Sequence, residues 1–364
     1  MALSPCQFTA AAGLSLPCRA KHIVDPHRAA PPSAETLAGA GRMSDLQLGL
    51  GCASMGSRKS RAESVAALER AYEAGIRWFD VAPSYGDGAA EEVLGRFASV
   101  RSDITVATKV GILPGHVGLA KKLIRPAVRM ALTMAPGLRN VVKRNRPAAM
   151  KQPLTPSLIA ASVDASLRRL QTERIGMLFL HGATAQETAD PAVIEAAGQL
   201  IANGKVARIG IASSPDAIRA GLAASPLYTA AQFANNPFEP ELEELRPLLD
   251  SRPEILVSTH SVIGSAGMVE AIAAQLGRDA ALADAFGQAG YTGTPRAMVS
   301  AFLADYAIAP SRTGIVLMSM FSRANLENNM ARLSRRRDYD AMLELASRIE
   351  TPAKVFSQED RKQR

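Results

Sequence analysis

After residue 43 the chain alternates short apolar runs with longer segments whose apolar positions recur every three to four residues. Short runs bounded by turn residues are typical of buried strands, and the longer spacing is typical of amphipathic helices. The pattern predicts eight strands, at residues 47–51, 76–80, 104–109, 177–181, 207–212, 230–233, 255–258 and 315–318. It predicts helices at residues 62–74, 89–98, 156–170, 191–202, 215–223, 240–249, 266–276, 278–289, 295–307 and 323–333.

This strand–helix alternation predicts an α/β fold with a parallel sheet. Eight units in about 320 residues favour a closed (β/α)8 TIM barrel, because an open doubly wound sheet usually has fewer strands. We expect one domain over residues 43–364, with a basic helical insertion at 111–152 after strand three and a helical tail at 334–364. No GxGxxG follows a strand and opens a helix, so a dinucleotide would be held without a Rossmann motif.

The first 42 residues differ in composition from the rest, being rich in Ala and Pro and poor in acids. We interpret them as a disordered extension ahead of a true start at Met43. A targeting leader is the alternative, although no clear order of charged, apolar and cleavage regions supports it.

The basic residues are concentrated in one segment, and this changes the meaning of the net charge of +8. Residues 118–151 contain nine Lys or Arg and no Asp or Glu, which leaves the remainder near −1. The basicity therefore describes one surface. Three interpretations of this segment stay open: a helical hairpin over the barrel mouth, a contact with an anionic membrane, or a surface that recognises an acidic substrate. The segment lacks aromatic residues, so no nucleic-acid partner is expected. Nothing in the pattern indicates an oligomeric state.

Cysteine usage and hydropathy favour a cytoplasmic protein. The three cysteines are odd in number and show no CxxC spacing, so neither a disulfide framework nor a cysteine-based metal site is expected. We predict no metal. No run of 18 apolar residues is present, so the sequence contains no candidate membrane span.

Four polar residues follow three neighbouring predicted strands where those strands end. Asp80 ends strand two, Tyr85 lies in the loop APSYGDG that follows, Lys109 ends strand three and His181 ends strand four. Each alone has an ordinary explanation, as a turn former, a packing residue, a solvated lysine or a core histidine. Because barrel chemistry sits at the C-terminal strand ends, their combination predicts one site.

Reduction of a carbonyl requires this combination. Hydride addition places negative charge on oxygen, so a proton donor must reach that oxygen. A phenol with a pKa near 10 is a poor acid unless a cation stabilises its phenolate. A carboxylate can hold that cation, and a neutral His can hydrogen-bond the substrate oxygen. The hydride must come from a nicotinamide.

Three long motifs, in the order WFDVAPSYGDGAAEEVLGR, ATKVG and SVDASLRRLQTERIGMLFLHG, resemble those of the aldo-keto reductases. The resemblance covers about residues 46–333. It implies a (β/α)8 barrel that binds extended NADPH across its mouth, with NADH as an alternative. It also implies that the catalytic Asp, Tyr, Lys and His are Asp80, Tyr85, Lys109 and His181.

The family's cofactor contacts are matched less closely by this sequence. RIGIASS matches the segment whose Ser and Asn bind the carboxamide, and here only the second position, Ser213, keeps a polar side chain. AQFANNPF aligns Gln232 with another carboxamide contact. STHSVIGSAGM places His260, followed by Ser261, where an aromatic often stacks on the nicotinamide. MSMFSRANLENN matches the 2′-phosphate segment, and its candidate ligands are Ser319, Ser322, Arg323 and Asn329.

The resemblance implies an NADPH-dependent reductase of aldehydes or ketones with Tyr85 as proton donor. Two alternatives stay open. The same residues would serve an NAD(P)-dependent dehydrogenase that oxidises a sugar or another alcohol. A cofactor-binding scaffold or sensor would instead use the basic segment as an interaction surface.

Overall fold

The computed structural model describes residues 46–114, 149–264, 267–311, 313–335 and 337–350. The predicted extension at 1–42 and most of the basic segment at 118–151 lie outside these ranges. Eight strands form the central sheet: β1 (Leu46–Gly51), β2 (Trp78–Asp80), β3 (Thr105–Val110), β4 (Met177–His181), β5 (Ile209–Ala212), β6 (Tyr228–Asn236), β7 (Leu256–His260) and β8 (Gly314–Met318). Each coincides with a predicted strand, with ends that shift by a few residues.

The sheet closes on itself. Among these eight strands every neighbouring pair is parallel, and β8 pairs with β1, with Leu317 opposite Gly49. Strand β7 pairs with both β6 and β8, which completes the ring. The predicted (β/α)8 barrel is therefore confirmed, and the C-terminal ends of all eight strands open on one face.

Helices cover the outside of the barrel. They are α1 (Arg61–Glu73), α2 (Ala89–Ala98), α3 (Pro156–Leu170), α4 (Ala185–Ala189), α5 (Pro191–Ala202), α6 (Pro215–Ala224), α7 (Glu241–Ser251), α8 (Met268–Arg278), α9 (Ala280–Gln288), α10 (Pro295–Ile308), α11 (Arg323–Leu333) and α12 (Tyr339–Ser347). Thr155 caps α3 by accepting a hydrogen bond from the Leu158 amide at 3.2 Å, as its sequence position predicts. None of the helices in the described ranges is long and apolar enough to cross a membrane.

Several short features escaped the periodicity argument. Helix α4 has only five residues, Glu239–Pro240 pairs antiparallel with the end of β6, and a two-stranded antiparallel hairpin pairs Ile112–Leu113 with Met150–Lys151. All are too short for a repeating apolar pattern to emerge. The hairpin lies at the two ends of the predicted insertion and brings them together beside β3.

The described residues form three hydrophobic clusters. The first lies between the outward faces of the strands and the helices, and a smaller one inside the barrel includes Trp78, Phe179 and Leu317. The third joins α8, α9, α10 and α12 on one side of the barrel. Within it the buried Asp305 accepts from Arg332 Nη1 at 2.8 Å and pairs with Arg337 Nε at 2.9 Å, which ties α10 to the C-terminal segment.

Replacing Gly49 by valine is expected to destabilise the barrel by about 1–3 kcal/mol through overpacking. A Cβ at Gly49 would lie 2.7 Å from Leu317 Cδ2 and 2.8 Å from Ile315 Cγ2, so the inner cluster has no room for it. Urea unfolding measures the change. Gly198→Ala on α5 is the control, because nothing lies within 4 Å of its added methyl group. That control should stabilise the protein slightly, and an unchanged midpoint for Gly49→Val would contradict the expectation.

Candidate active site

A buried ion pair lies at the centre of the barrel mouth. Asp80 ends β2, Lys109 is the penultimate residue of β3, and their exposed fractions are 3% and 2%. Lys109 Nζ donates to Asp80 Oδ1 and, at 3.2 Å, to the Val81 carbonyl. Removing two charges from water is costly unless both are paired and hydrogen-bonded. Such a pair indicates a role beyond folding.

Tyr85 lies directly beside this pair. Lys109 Nζ is 5.3 Å from the centroid of the Tyr85 ring. Burial raises the pKa of Tyr85 above its ordinary value, the Lys109 charge opposes this, and Asp80 adds to the increase. The hydroxyl therefore stays protonated at neutral pH. For Lys109, burial lowers the pKa, but the charge of Asp80 and its hydrogen bond to Lys109 outweigh burial and raise the pKa overall, so the ammonium stays charged.

The loop after Tyr85 has an unusual backbone. Gly86, Asp87 and Gly88 all adopt positive φ, at 58°, 56° and 89°. Glycine is required at the first of these, because a Cβ on Gly86 would lie 2.7 Å from the Met55 carbonyl oxygen and 2.9 Å from Gly56 Cα. The turn reverses the chain between Tyr85 and α2 and so fixes where the phenol enters the mouth.

His181 ends β4 on the same face. Burial lowers the pKa of His181 well below its ordinary value, and the charges of Lys109, His260 and Lys151 lower it further. Its Nδ1 is buried and has no hydrogen-bond partner within the described residues. The imidazole is therefore neutral near pH 7, and a neutral imidazole can donate one hydrogen bond and accept another.

The second oxygen of Asp80 has its own partner. Gln232 Nε2 donates to Asp80 Oδ2 at 2.9 Å and to Ser258 Oγ at 3.3 Å. The family resemblance implies Gln232 as a carboxamide contact, and the structure adds this bond to the Asp80 carboxylate. Ser258 was not predicted. Ser258 lies two residues before His260 in β7, so both side chains lie on the same face of the strand. This alternation could have predicted Ser258 from the position of His260.

A buried thiol lies near the pair. Cys52 is fully buried, and its Sγ lies 3.6 Å from the Leu50 carbonyl oxygen. Burial raises the pKa of the Cys52 thiol, the Asp80 charge adds to that increase, and the Lys109 charge opposes it. Cys52 is therefore a neutral packing residue, since reactive cysteines have depressed pKa values.

The predicted carboxamide and stacking residues line the mouth after β5 and β7. Ser213 Oγ donates to the Ala183 carbonyl at 2.5 Å. His260 Nδ1 and Ser261 Oγ are 2.9 Å apart, and Ser261 has a positive φ of 56°. Asn236 Nδ2 donates to the Ser261 carbonyl at 3.1 Å, which anchors this strained residue to β6.

Three of the predicted 2′-phosphate residues, Ser319, Ser322 and Arg323, lie at or before the start of α11, and Asn329 lies about two turns further along it. Ser319, Ser322 and Arg323 are exposed and Asn329 is half-buried. Ser322 caps the helix by accepting from the Asn325 amide at 3.1 Å, and Arg323 makes a loose pair with Glu327 at 3.6 Å.

An arginine that the sequence did not single out reaches the same loop. Arg70 Nη2 donates to the Phe321 carbonyl at 2.9 Å, and Arg70 and Arg323 line one cleft between α1 and α11. The 251 residues that separate Arg70 from Phe321 explain why no local motif indicated the contact.

These features together define a (β/α)8 barrel whose mouth carries a phenol, an ammonium paired with a buried carboxylate, and a neutral imidazole. The sequence profile described as the aldo/keto reductase family matches residues 47–347. This chain belongs to that family, which confirms the resemblance identified in the sequence.

Known proteins agree with this assignment. The chain is 32% identical over 190 residues to D-threo-aldose 1-dehydrogenase of a Pseudomonas species, covering 50% of this chain and 54% of that protein. It is 30% identical over 213 residues to the uncharacterized oxidoreductase YqkF of Bacillus subtilis strain 168, covering 56% of each. The chain thus spans about half the length of the curated relatives it matches.

A solved structure with the same fold is the aldo-keto reductase of Klebsiella pneumoniae in complex with NADPH. It has a TM-score of 0.59 and covers 85% of this chain and 93% of that one. At 21% identity this likeness is one of fold alone.

Proposed function

We propose that this protein is an NADPH-dependent reductase that converts an aldehyde or ketone to an alcohol. One observation carries the proposal: the Lys109 ammonium, held by the buried Asp80, lies against the ring of Tyr85. A phenol in that position can donate its proton to an oxygen that gains negative charge, because the adjacent cation stabilises the phenolate left behind.

Each side chain of the group then has a distinct task. A bound nicotinamide would supply the hydride, because no side chain can. Tyr85 gives its hydroxyl proton to the substrate oxygen. Lys109 stabilises the resulting phenolate, while Asp80, itself bound by Gln232, holds the Lys109 ammonium in place. His181, kept neutral by burial, donates a hydrogen bond to the same oxygen and orients it.

The residues at the mouth fit such a cofactor. Exposed hydroxyls, two guanidinium groups and the N-terminus of α11 surround the loop after β8, and this donor set suits a phosphate dianion. Ser213 follows β5, Gln232 lies within β6, His260 ends β7 and Ser261 follows it, and these positions would hold a carboxamide and a planar ring. NADH is the alternative cofactor, because the sequence matches the family's 2′-phosphate segment less closely.

Titration with NADPH and NADH tests the cofactor assignment. Trp78 is the single tryptophan and lies two residues before Asp80, so its fluorescence reports on the mouth. We expect NADPH to bind with a micromolar or lower Kd and NADH about tenfold more weakly. Arg323→Ala should raise the Kd for NADPH by about tenfold and leave that for NADH unchanged, since a charge-assisted phosphate contact is lost.

Arg278→Ala is the matched control for that titration. Arg278 is exposed at the end of α8 and pairs with Glu350, so both Kd values should stay at their original level. Equal binding of the two cofactors would remove Arg323 from the site and favour an NAD-linked enzyme. Absence of binding by either would contradict the proposed function.

Oxidation of a sugar or another alcohol is the second candidate. The Pseudomonas relative is an aldose dehydrogenase, and the same four side chains catalyse both directions by microscopic reversibility. Initial rates with a carbonyl panel and NADPH, compared with a sugar panel and NADP⁺, would separate the two.

A scaffold or sensor is disfavoured, because the buried pair of Asp80 and Lys109 is costly to keep and serves no binding purpose. We propose a cytoplasmic protein whose barrel is one domain over residues 43–364.

A further inference from the structure

We propose that Glu91 and Arg169 are positioning residues for Tyr85. Their contact forms a clamp, defined here as the buried Glu91 carboxylate, the half-buried Arg169 guanidinium and the buried Thr108 hydroxyl. The inference rests on the proposed function, because it concerns how the proton donor is held for catalysis.

The clamp joins three elements around one carboxylate. Glu91, on the first turn of α2, is fully buried. It accepts from Arg169 Nε on α3 at 2.6 Å and from Thr108 Oγ1 on β3 at 2.7 Å. Arg169 also donates to Ser166 Oγ at 3.2 Å, which fixes the guanidinium from its other side.

The contacts of Glu91 connect it to both Lys109 and Tyr85. Thr108 directly precedes Lys109, so the strand residue that carries the cation is tied to the carboxylate through its neighbour. Glu91 lies three residues after Gly88, the last residue of the left-handed turn that follows Tyr85. The clamp therefore fixes the turn relative to the strand that carries Lys109.

Arg169 also touches the turn itself. A Cβ placed on Gly88 would lie 3.0 Å from Arg169 Cδ and 3.4 Å from Arg169 Nε, so the arginine side chain covers this glycine. On the opposite side Gly86 packs against Met55 and Gly56. The turn is thus enclosed between α3 and the loop after β1.

Enclosure matters because the turn is strained. Asp87 has a β-carbon and still adopts a φ of 56° between two glycines of positive φ. Aspartate tolerates this conformation better than most residues, but it still costs free energy, and the surrounding contacts offset that cost. Loss of the arginine would let the turn relax, and Tyr85, one residue before it, would move. A displacement of about 1 Å at a reacting group can reduce a rate about 100-fold.

A double-mutant cycle on kcat tests this clamp. Arg169→Met should lower kcat about 10- to 100-fold, with the Kd for NADPH within twofold of the original. In a Tyr85→Phe background the same substitution should have almost no further effect on the residual rate, because the residue it positions has lost its proton donor. Losses that multiply in the double variant would overturn the proposal and indicate a general structural effect.

Two controls make the cycle specific. Arg168→Met is the same substitution on the neighbouring residue of α3, whose side chain is exposed, and it should leave kcat unchanged. Arg169→Lys, which retains a cation for Glu91, should recover part of the lost kcat. A lysine variant as poor as the methionine variant, with both folded by circular dichroism, would also overturn the proposal.

A second measurement does not depend on turnover. Amide hydrogen exchange in a peptide spanning residues 85–90 should accelerate in Arg169→Met, while exchange in β3 stays slow. Unchanged exchange in that peptide would sink the inference even if kcat falls. Absence of turnover in the unmodified protein would instead contradict the proposed function, and the exchange measurement would still decide whether Arg169 holds the turn.

Discussion

Tyr85→Phe is expected to lower kcat for carbonyl reduction by about three orders of magnitude. General acid catalysis contributes typically about 10²–10⁴-fold, and Tyr85 supplies the proton in the proposed reaction. The substitution removes one oxygen and keeps the ring against Lys109, so packing in the mouth changes little. Steady-state kinetics with NADPH and a reactive aldehyde measure the loss.

The Kd for NADPH, measured by Trp78 fluorescence, is the control for this variant. It should stay within twofold, because the hydroxyl serves the substrate oxygen. A phenylalanine variant with more than about a tenth of the original kcat would remove Tyr85 from the role of proton donor and would make His181 the alternative donor. His181 is a poor acid near neutral pH, since burial already keeps its imidazole uncharged.

Sequence periodicity was sufficient for the barrel because each βα unit repeats the same local problem. The parallel strands are buried on both faces, and each helix presents one apolar face, so runs and spacings reveal them. The C-terminal end of each strand then locates polar side chains without any knowledge of contacts. Asp80, Lys109 and His181 could therefore be assigned to one face from their place in the chain.

Contacts between distant segments could not be predicted in this way. The Glu91–Arg169 bond joins residues 78 positions apart, and Gln232 reaches Asp80 across 152 positions. Both bonds depend on which rotamer fits between packed elements, and periodicity carries no information on that. Family resemblance assigned Gln232 to the cofactor, whereas its bond to Asp80 follows only from the register of β6 against its neighbours.

The left-handed turn illustrates an intermediate case. Two glycines flanking an aspartate in YGDG indicate a tight turn, since both residue types tolerate positive φ. The sequence does not reveal that Arg169 covers the turn. The same limit applies to His260 and Ser261, whose backbone is anchored through Asn236 on another strand.

Lys109→Met is expected to move the pH profile of the reaction upward and to lower kcat about 100-fold. The Lys109 charge lowers the pKa of Tyr85, whereas burial and Asp80 raise it. Without the cation only the raising influences remain, so the pKa of Tyr85 increases further. Oxidation of an alcohol needs the phenolate as base, so the rising limb of the oxidation rate plotted against pH should shift to higher pH. Reduction needs the protonated phenol, so the decline of the reduction rate at alkaline pH should also shift to higher pH.

Rates measured from pH 6 to 11 in both directions decide this prediction. The unmodified protein should reduce carbonyls at a constant rate up to about pH 9, because the raised pKa of Tyr85 keeps the phenol protonated. Lys205→Met is the matched control, since Lys205 pairs with Asp164 outside the mouth at 2.7 Å and should leave both limbs in place. If Lys109→Met lowers kcat without moving either limb, the lysine holds the substrate or Asp80 and does not set the acidity of Tyr85.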